Sequence, residues 1–173
     1  DQVYWGKPIS GFGDLNGNII IIGLAPAAHG ATRTGRVFTG DKSADFLFNC
    51  LFKSGLSNQP NSDHINDGLK LKNTFITLAL RCVPPEDKPT KEELKNCSAF
   101  FKEELNMIKN KKVIVALGKI AFDACIKFYK ENYGLMGSYK FGHGSKYDIN
   151  GLTIFGCYHP SPVSYTHLTL PTN

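Results

Sequence analysis

Short apolar runs and segments with helical periodicity alternate along the chain. The apolar runs are continuous and rich in β-branched residues, which predicts strands buried on both faces. These predicted strands cover Ile19–Ile22, Thr74–Leu80, Lys112–Leu117 and Leu152–Tyr158. The other segments repeat apolar residues every three or four positions, which predicts helices. These cover Ser43–Lys53, the segment from Thr90 to Ile108, and Ile120–Tyr129.

This alternation predicts one α/β domain with a mostly parallel four-stranded sheet and helices on both faces. Three stretches lack periodicity: residues 1–17 read as an irregular arm, residues 57–72 as a long surface loop, and residues 134–148 as a glycine-rich, basic and aromatic stretch. The carboxyl ends of parallel strands meet at one edge of a sheet, where α/β proteins bind their ligands. We therefore expect the loops after the strands to converge on one crevice.

The composition is that of a globular protein of ordinary size, with 173 residues of which 42% are hydrophobic and 20% are charged. The net charge of +5 indicates a modest preference for polyanions, which permits binding to nucleic acid without requiring it. No apolar run approaches the roughly 20 residues that span a bilayer, and the N-terminal residues do not resemble a signal peptide. We expect a cytoplasmic protein with no membrane partner and with its five cysteines reduced.

The loop after the first strand, GLAPAAHGATRTGRVFTGD, carries most of the candidate chemistry. Its small residues let a ligand approach the backbone, and Arg33 and Arg36 suit an anion. Phe38 adds a flat apolar ring and Asp41 a carboxylate. The loop matches neither G-x-x-x-x-G-K-[ST] nor G-x-G-x-x-G, which argues against a nucleoside triphosphate or dinucleotide site. Each residue also has a structural interpretation: Asp41 could cap the next helix, the arginines could be solvated, and Phe38 could belong to the core.

Two further segments carry reactive or polar residues. His159 ends the last strand before a rigid Pro-Ser-Pro, in which Ser161 suits a phosphate contact, although a histidine there could simply bond to a carbonyl. Residues 139–146 mix basic and aromatic side chains, which suits nucleic acid but is equally common in flexible loops. Cys82 and Cys97 lie in a loop and in the first turns of a helix, which suits a shared metal site. From the residues alone, two buried thiols are the simpler interpretation.

Three of these segments together resemble a known family. GLAPAAHGATRTGRVFTGD, RCVPPEDKPT and HPSP are similar to the motifs of the uracil-DNA glycosylase superfamily, most closely its family 5 branch of broad-specificity iron–sulfur enzymes. YWGKPISGFGD near the N-terminus also looks like that branch, so the resemblance runs from Tyr4 to Pro162. It implies a three-layer α/β/α fold and a DNA repair enzyme that flips uracil out of the duplex. Such an enzyme hydrolyses the bond to deoxyribose with water and leaves an abasic site.

The resemblance also implies roles for individual residues. Phe38 would stack under the flipped base, and His159 would lie beside the base or its leaving oxygen. Asp41 would orient a water or stabilise positive charge on the sugar. Asp87 falls where relatives often have Asn, which makes it a second active-site candidate. Residues 77–79 offer no side-chain amide to recognise the edge of uracil, which suits a looser preference that includes other deaminated bases. Contacts to the substrate are implied for Ala25, Pro26, Ala27, Ala28 and Ser161, and contacts to DNA for Arg33, Arg36, Pro160 and Pro162.

Family members hold a [4Fe–4S] cluster with four cysteines, a close N-terminal pair and two at the positions of Cys82 and Cys97. Because this chain begins at Asp1, after the place of that pair, we expect a cluster in the full-length protein and only two of its ligands here. Relatives continue past HPSP with an Asn-containing segment and a basic helix, whereas residues 164–173 look like translated cloning sequence. We therefore expect a glycosylase domain over residues 1–163 and a non-native tail over residues 164–173.

Two other functions stay open at this point. A non-catalytic module could bind damaged DNA with the same basic and aromatic residues but without turnover. A phosphate-ester enzyme could use Arg33, Arg36 and Asp41 with a metal, although no cluster of acidic ligands supports it. The expected partner is DNA that contains uracil or other deaminated bases, bound by a monomer.

Overall fold

Residues 4–161 are described by the structure, a computed structural model of the chain. Within them, the strands are β1 (Phe12–Gly13), β2 (Ile19–Gly23), β3 (Thr74–Leu78), β4 (Val113–Leu117), β5 (Lys146–Ile149) and β6 (Leu152–Cys157). The α-helices are α1 (Ala31–Thr34), α2 (Lys42–Lys53), α3 (Lys91–Met107) and α4 (Lys119–Tyr133). A 3-10 turn over Pro85–Asp87 precedes α3.

One sheet runs through the domain in the order β1-β3-β2-β4-β6-β5. Its four inner strands are parallel, so that Ile21 of β2 lies opposite Ile76 of β3 on one side and Val115 of β4 on the other. β1 and β5 pair antiparallel at the two edges. The carboxyl ends of β2, β3, β4 and β6 therefore lie at one edge, where the loops that follow them meet.

Both faces of the sheet are covered, because successive residues of a strand point to opposite sides. Ile20 and Ile22 are fully buried in a cluster with residues of α3 and α4. Ile21 joins a second cluster with residues of α2. Burying each of these side chains stabilises the fold by roughly 1.5–3 kcal/mol relative to exposure. The predicted arrangement of helices on both faces of a mostly parallel sheet is confirmed.

Helix α3 begins at a capping box, as its sequence indicates. The hydroxyl of Thr90 accepts a hydrogen bond from Glu93 N at 3.1 Å, and the carboxylate of Glu93 accepts one from Thr90 N at 2.7 Å. Helix α4 runs past its predicted end at Tyr129 to Tyr133. Gly134 then ends it in the left-handed conformation, with φ of 64°.

The prediction of four strands is wrong, because the sheet has two more at its edges. In β1, Gly13 has φ of 130°, and a Cβ added to it would overlap the carbonyl oxygen of Thr74. In β5, residues alternate between exposed and half-buried, and Asp148 accepts a hydrogen bond from Thr153 of β6 at 2.7 Å. Neither strand has a continuous apolar run, since an edge strand need not be buried on both faces. The short helix α1, inside the loop after β2, was not predicted either.

The described part of the chain ends at Ser161. Pro162, the boundary at residue 163 and the tail over residues 164–173 lie outside it and stay predictions. In the described range, no helix combines the length and the apolar character that crossing a membrane demands.

Candidate active site

The loop after β2 is tied to the neighbouring strand where it leaves the sheet. Gly23 O and Leu24 O accept hydrogen bonds from Ala79 N and Leu80 N at 3.0 and 2.8 Å. A Cβ added to Gly23 would lie 2.9 Å from Cε2 of Phe38, closer than real Cβ contacts. Glycine therefore both ends the strand and lets the ring of Phe38 return against it.

Phe38 and His159 come together from opposite ends of the chain. Their ring centroids are 5.9 Å apart, and the ring planes differ by 29°. Phe38 has φ of 47°, a conformation that costs a non-glycine residue about 1–3 kcal/mol and is found at ligand sites. Its side chain is only 8% exposed and packs in the cluster with α2, so its interpretation as a core residue is also correct. The first and last loops of the predicted crevice therefore do meet.

Asp41 is the N-cap of α2. Its Oδ1 accepts a hydrogen bond from Ala44 N at 2.9 Å, an interaction worth about 1 kcal/mol. Its Oδ2 faces Gly30, where an added Cβ would overlap that oxygen. The structural interpretation of Asp41 is therefore correct, but it accounts for only one of the two carboxylate oxygens.

His159 is half-buried just beyond β6, within electrostatic reach of Asp41. Burial lowers the pKa of His159 below its usual value, while the negative charge of Asp41 opposes that shift. The imidazole is consequently neutral at neutral pH, with one N–H donor and one acceptor nitrogen. A neutral donor beside a carboxylate suits a reaction in which a leaving oxygen gains negative charge.

The start of the loop offers backbone donors. The N–H groups of Ala25, Ala27 and Ala28 have no acceptor among residues 4–161, and Pro26 has no N–H. Ala27 and Ala28 are exposed, and Ala27 O accepts a hydrogen bond from Gly30 N at 3.2 Å, which closes the turn. These amides are available to a polar ligand edge, and their role in base recognition stays a prediction.

Comparison with known proteins identifies the family that this arrangement belongs to. A family model described as the uracil DNA glycosylase superfamily matches residues 10–172. The chain belongs to this superfamily. Type-5 uracil-DNA glycosylases of Pyrobaculum aerophilum, Mycobacterium bovis and Thermus thermophilus are 44%, 42% and 43% identical to it, over 93%, 93% and 92% of the chain. The chain spans 69%, 60% and 72% of the lengths of these relatives.

The resemblance to the superfamily and to its family 5 branch is thereby confirmed. A type-4 uracil-DNA glycosylase from Pyrobaculum aerophilum is 26% identical over 92% of the chain. The type-5 protein of the same organism is 44% identical over a similar share. The similarity therefore follows the type-5 branch rather than the type-4 branch.

In this superfamily member, Arg36 is not placed to contact DNA. Its side chain is 5% exposed, and its Nη1 and Nη2 donate to Oδ1 and Oδ2 of Asp67 at 2.8 and 2.6 Å. Nη2 also donates to Ser62 Oγ at 2.8 Å, and Nε donates to Thr39 Oγ1 at 3.0 Å. The phosphate contact predicted for Arg36 does not fit this geometry, because its donors are already used inside the protein.

Asp67, the partner of Arg36, was missed by reasoning from the sequence. Burial by itself would raise the pKa of Asp67, but hydrogen bonds from Arg36 and from the backbone N–H groups of Leu69 and Asp63 hold that pKa well below its usual range. Asp67 lies in the polar segment of residues 57–72, whose sequence shows no periodicity that would predict a buried carboxylate there. We call Arg36, Thr39, Ser62 and Asp67 the Arg36 brace.

Arg33 ties the loop after β2 to itself. Its Nε donates to His29 O at 2.9 Å, and its Nη2 donates to Gly40 O at 3.1 Å. Gly40 N in turn donates to Ser62 O at 2.8 Å, which joins this loop to the Arg36 brace. Arg33 is half-buried, and its predicted DNA contact stays a prediction.

A second ion pair, which is largely buried, holds the N-terminal arm. Nη2 of Arg81 lies 2.9 Å from Oε2 of Glu104 on α3, and Oε1 of Glu104 accepts a hydrogen bond from Gly11 N at 2.7 Å. Ile9 N donates to Arg81 O at 2.8 Å. The arm is thus fixed beside Cys82, although its sequence indicated no regular structure.

Cys82 and Cys97 line one surface cavity of about 540 Å³ between the N-terminal arm and α3. Cys82 is exposed and Cys97 is half-buried, so the interpretation as two buried thiols is wrong. Among residues 4–161, no three side chains of His, Cys, Asp or Glu lie close enough together to hold a metal ion. Two cysteines are half the number of ligands in a four-thiolate site.

The positions of three other predicted site residues indicate less about their function. The backbone of Asp87 ends the 3-10 turn, and its side chain lies outside the described part of the structure. Pro160 is buried, so its ring is not presented for the minor-groove contact that the resemblance implies. Ser161 is half-buried, and its N–H donates to His159 O at 2.8 Å. The roles of Asp87 and Ser161 stay predictions.

Proposed function

We propose that this chain is a glycosylase domain that hydrolyses the bond between uracil and deoxyribose in DNA and leaves an abasic site. One observation carries the proposal: Phe38, Asp41 and His159 lie together in one site of a superfamily member. The named type-5 relatives, which are uracil-DNA glycosylases, support the choice of substrate.

Each of the three residues has chemistry that suits this reaction. The ring of Phe38 is flat and apolar, the chemistry that stacking under a flipped base requires. The neutral imidazole of His159 can donate a hydrogen bond to the base oxygen that gains negative charge as the bond breaks. Oδ2 of Asp41, which the helix cap does not use, can orient the attacking water and stabilise positive charge on the sugar. Water is the nucleophile, so no covalent enzyme intermediate forms.

Asp41→Asn tests this role separately from the helix cap. Asn caps helices about as well as Asp, so the variant keeps the start of α2 and loses only the negative charge. We expect the single-turnover rate of base release from a uracil-containing duplex to fall roughly 10²–10⁴-fold while DNA binding persists. Release is measured as strand cleavage after heating in alkali. A wild-type rate in Asp41→Asn would remove Asp41 from the mechanism.

The wild-type protein also tests the activity itself. A uracil-containing strand that stays intact after alkali would contradict a glycosylase. DNA binding with steep salt dependence but without base release would instead favour the alternative of a non-catalytic module.

We further propose that the domain accepts other deaminated bases. In β3, the hydroxyl of Thr77 donates to Glu104, and Leu78 is buried, so neither side chain is free to select uracil. We expect base release from duplexes with hypoxanthine or xanthine as well as uracil, measured at equal enzyme concentration. Release of uracil alone would contradict this looser selectivity.

We also propose that Cys82 and Cys97 supply two thiolates to a [4Fe–4S] cluster in the full-length protein. Their position in one cavity supports this, and a cluster there would cross-link the loop after β3 to α3. In a version extended to include an N-terminal cysteine pair, Cys82→Ser and Cys97→Ser should lower bound iron. Cys50→Ser, at an exposed thiol on α2, is the matched control and should leave iron unchanged. Equal iron in all variants would contradict the assignment.

We place this domain in the cytoplasm as a DNA-binding monomer. Its cysteines in the described residues are all free thiols, which suits a reducing compartment, and its net charge of +5 suits DNA. Sedimentation of the free protein should give one species near 19.1 kDa, and a dimer would contradict the monomer.

A further inference from the structure

The turn over residues 142–145 is built onto the end of β6. Gly144 N donates to Gly156 O, and Gly156 N donates to Ser145 O, both at 2.9 Å. A Cβ added to Gly156 would lie 2.6 Å from both Gly142 O and Ser145 Oγ, so this close approach requires glycine. The stretch that the sequence left open as a flexible loop or a nucleic-acid contact is therefore a structured turn.

His143, at the tip of this turn, holds Tyr158 in two ways. The backbone N–H of Tyr158 donates to Nδ1 of His143 at 3.2 Å. The two rings also stack, with centroids 4.8 Å apart and planes only 11° apart. Phe141, from the same segment, adds a tilted contact with the ring of Tyr158 at 6.2 Å.

The position of Tyr158 makes this contact relevant to the site. Tyr158 is the link between Cys157, the last residue of β6, and His159. Cys157 O accepts a hydrogen bond from Gly118 N at 2.7 Å, and His159 O accepts one from Ser161 N at 2.8 Å. The bond to His143 lies between these two, where the backbone has left the sheet. The bond therefore restricts the backbone direction at Tyr158, which sets the position of the His159 side chain in the site.

We propose that His143 is a positioning residue that orients His159 through Tyr158. The inference rests on the proposed function, in which His159 donates a hydrogen bond to the leaving base. Nδ1 accepts from Tyr158, so the neutral ring of His143 carries its proton on Nε2. A histidine fits this position because its Nδ1 accepts the hydrogen bond from Tyr158 N and its flat ring stacks on the ring of Tyr158.

Two substitutions separate the two contacts. His143→Phe keeps a ring for stacking but removes the acceptor, whereas His143→Asn keeps an acceptor oxygen near the place of Nδ1 but removes the ring. We expect His143→Phe to lower the single-turnover rate of uracil release about fivefold, the effect of one neutral hydrogen bond, with little change in the half-saturating DNA concentration. His143→Asn should restore the rate to within about twofold of wild type. His64→Phe, at an exposed histidine on another loop, is the matched control and should have the wild-type rate.

Nuclear magnetic resonance tests the contact without relying on activity. The wild-type protein should show His143 protonated on Nε2 and slow hydrogen exchange at the Tyr158 amide. His143→Phe should exchange that amide faster and shift the ring signals of His159, whereas His64→Phe should change neither.

Three results would overturn the proposal: a wild-type rate in His143→Phe, an equal loss in His143→Asn and His143→Phe, or unchanged Tyr158 exchange and His159 signals in His143→Phe. If the wild-type protein releases no base, the proposed function fails. The role of His143 is then decided by the His159 signals alone, and unchanged signals in His143→Phe would overturn it.

Discussion

Replacing Asp67 with Asn should strongly destabilise the domain. The two side chains are nearly the same size, so the change removes a negative charge without opening a cavity. Arg36 would keep its positive charge in a place where its side chain is only 5% exposed, and the Asp67 side chain is 7% exposed. The charge of Arg36 would then lack its compensating carboxylate in the interior.

The size of the effect follows from this burial. Removing one partner of a buried ion pair costs roughly 3–5 kcal/mol, a large part of the roughly 5–15 kcal/mol that stabilises a typical domain. Lys127 and Glu131 on α4 form an ion pair whose side chains are 62% and 59% exposed. Glu131→Gln is therefore the matched control, with an expected cost of at most about 1 kcal/mol.

The effect of Asp67→Asn should also depend on pH. Its hydrogen bonds hold the pKa of Asp67 below the usual 3.8, so the unfolded chain takes up the proton first as pH falls. The stabilisation by Asp67 is thus fully present above pH 3.8 and is lost as pH falls toward the lower pKa of the folded protein. The difference in stability between wild type and Asp67→Asn should shrink over that acid range.

Urea unfolding, followed by tryptophan fluorescence at several pH values, measures both effects. We expect a lower midpoint with an unchanged slope at neutral pH for Asp67→Asn, and a midpoint near that of wild type for Glu131→Gln. Uracil release should also slow in Asp67→Asn, because Thr39 of the Arg36 brace follows Phe38 directly. A loss of less than about 1 kcal/mol, or a difference that stays constant in acid, would refute the reasoning.

Three further variants test the site and the fold. Since burial lowers the pKa of His159, protonation of His159 should reduce base release and stability in the wild-type protein only below pH 6.5. His159→Gln should lack this contribution to the acid dependence, and a fall that begins above pH 6.5 in wild type would contradict the lowered pKa. Gly30→Ala should displace Oδ2 of Asp41 and slow single-turnover release about tenfold without unfolding the protein, and an unchanged rate would show that this oxygen is not needed. Thr90→Ala should cost about 1 kcal/mol in urea unfolding and leave release unchanged, whereas wild-type stability would mean that the capping box contributes nothing.

Two features of the chain made the main site accessible to sequence reasoning. The inner strands are buried on both faces, so each one is a continuous apolar run that stands out from its surroundings. Parallel strands place their following loops at one edge, so Phe38 and His159 could be expected to meet although they are far apart in the sequence. Their ring contact at 5.9 Å is the observed outcome.

Other features depend on partners that no local pattern reveals. From the sequence, Arg36 is expected to be exposed in the loop after β2. It is buried beside Asp67 only because residues 57–72 fold against that loop. The edge strands are short and polar, so they lack the apolar run that identifies an inner strand. His143 lies in a stretch whose composition suits a flexible loop, and its role appears only when the turn packs on β6.

Asp41 shows why a structural and a functional interpretation of one residue need not compete. An N-cap lies where a helix begins, and α2 begins at the same edge of the sheet as the candidate site, so a capping carboxylate there lies beside that site. The cap uses Oδ1 and thereby fixes the direction of Oδ2, which then needs no further ordering when substrate binds. Restraint of this kind lowers the entropic cost of reaching a reactive geometry. In the proposed mechanism, the capping bond helps to prepare the carboxylate for chemistry, and its loss should slow base release even in a variant that keeps the charge.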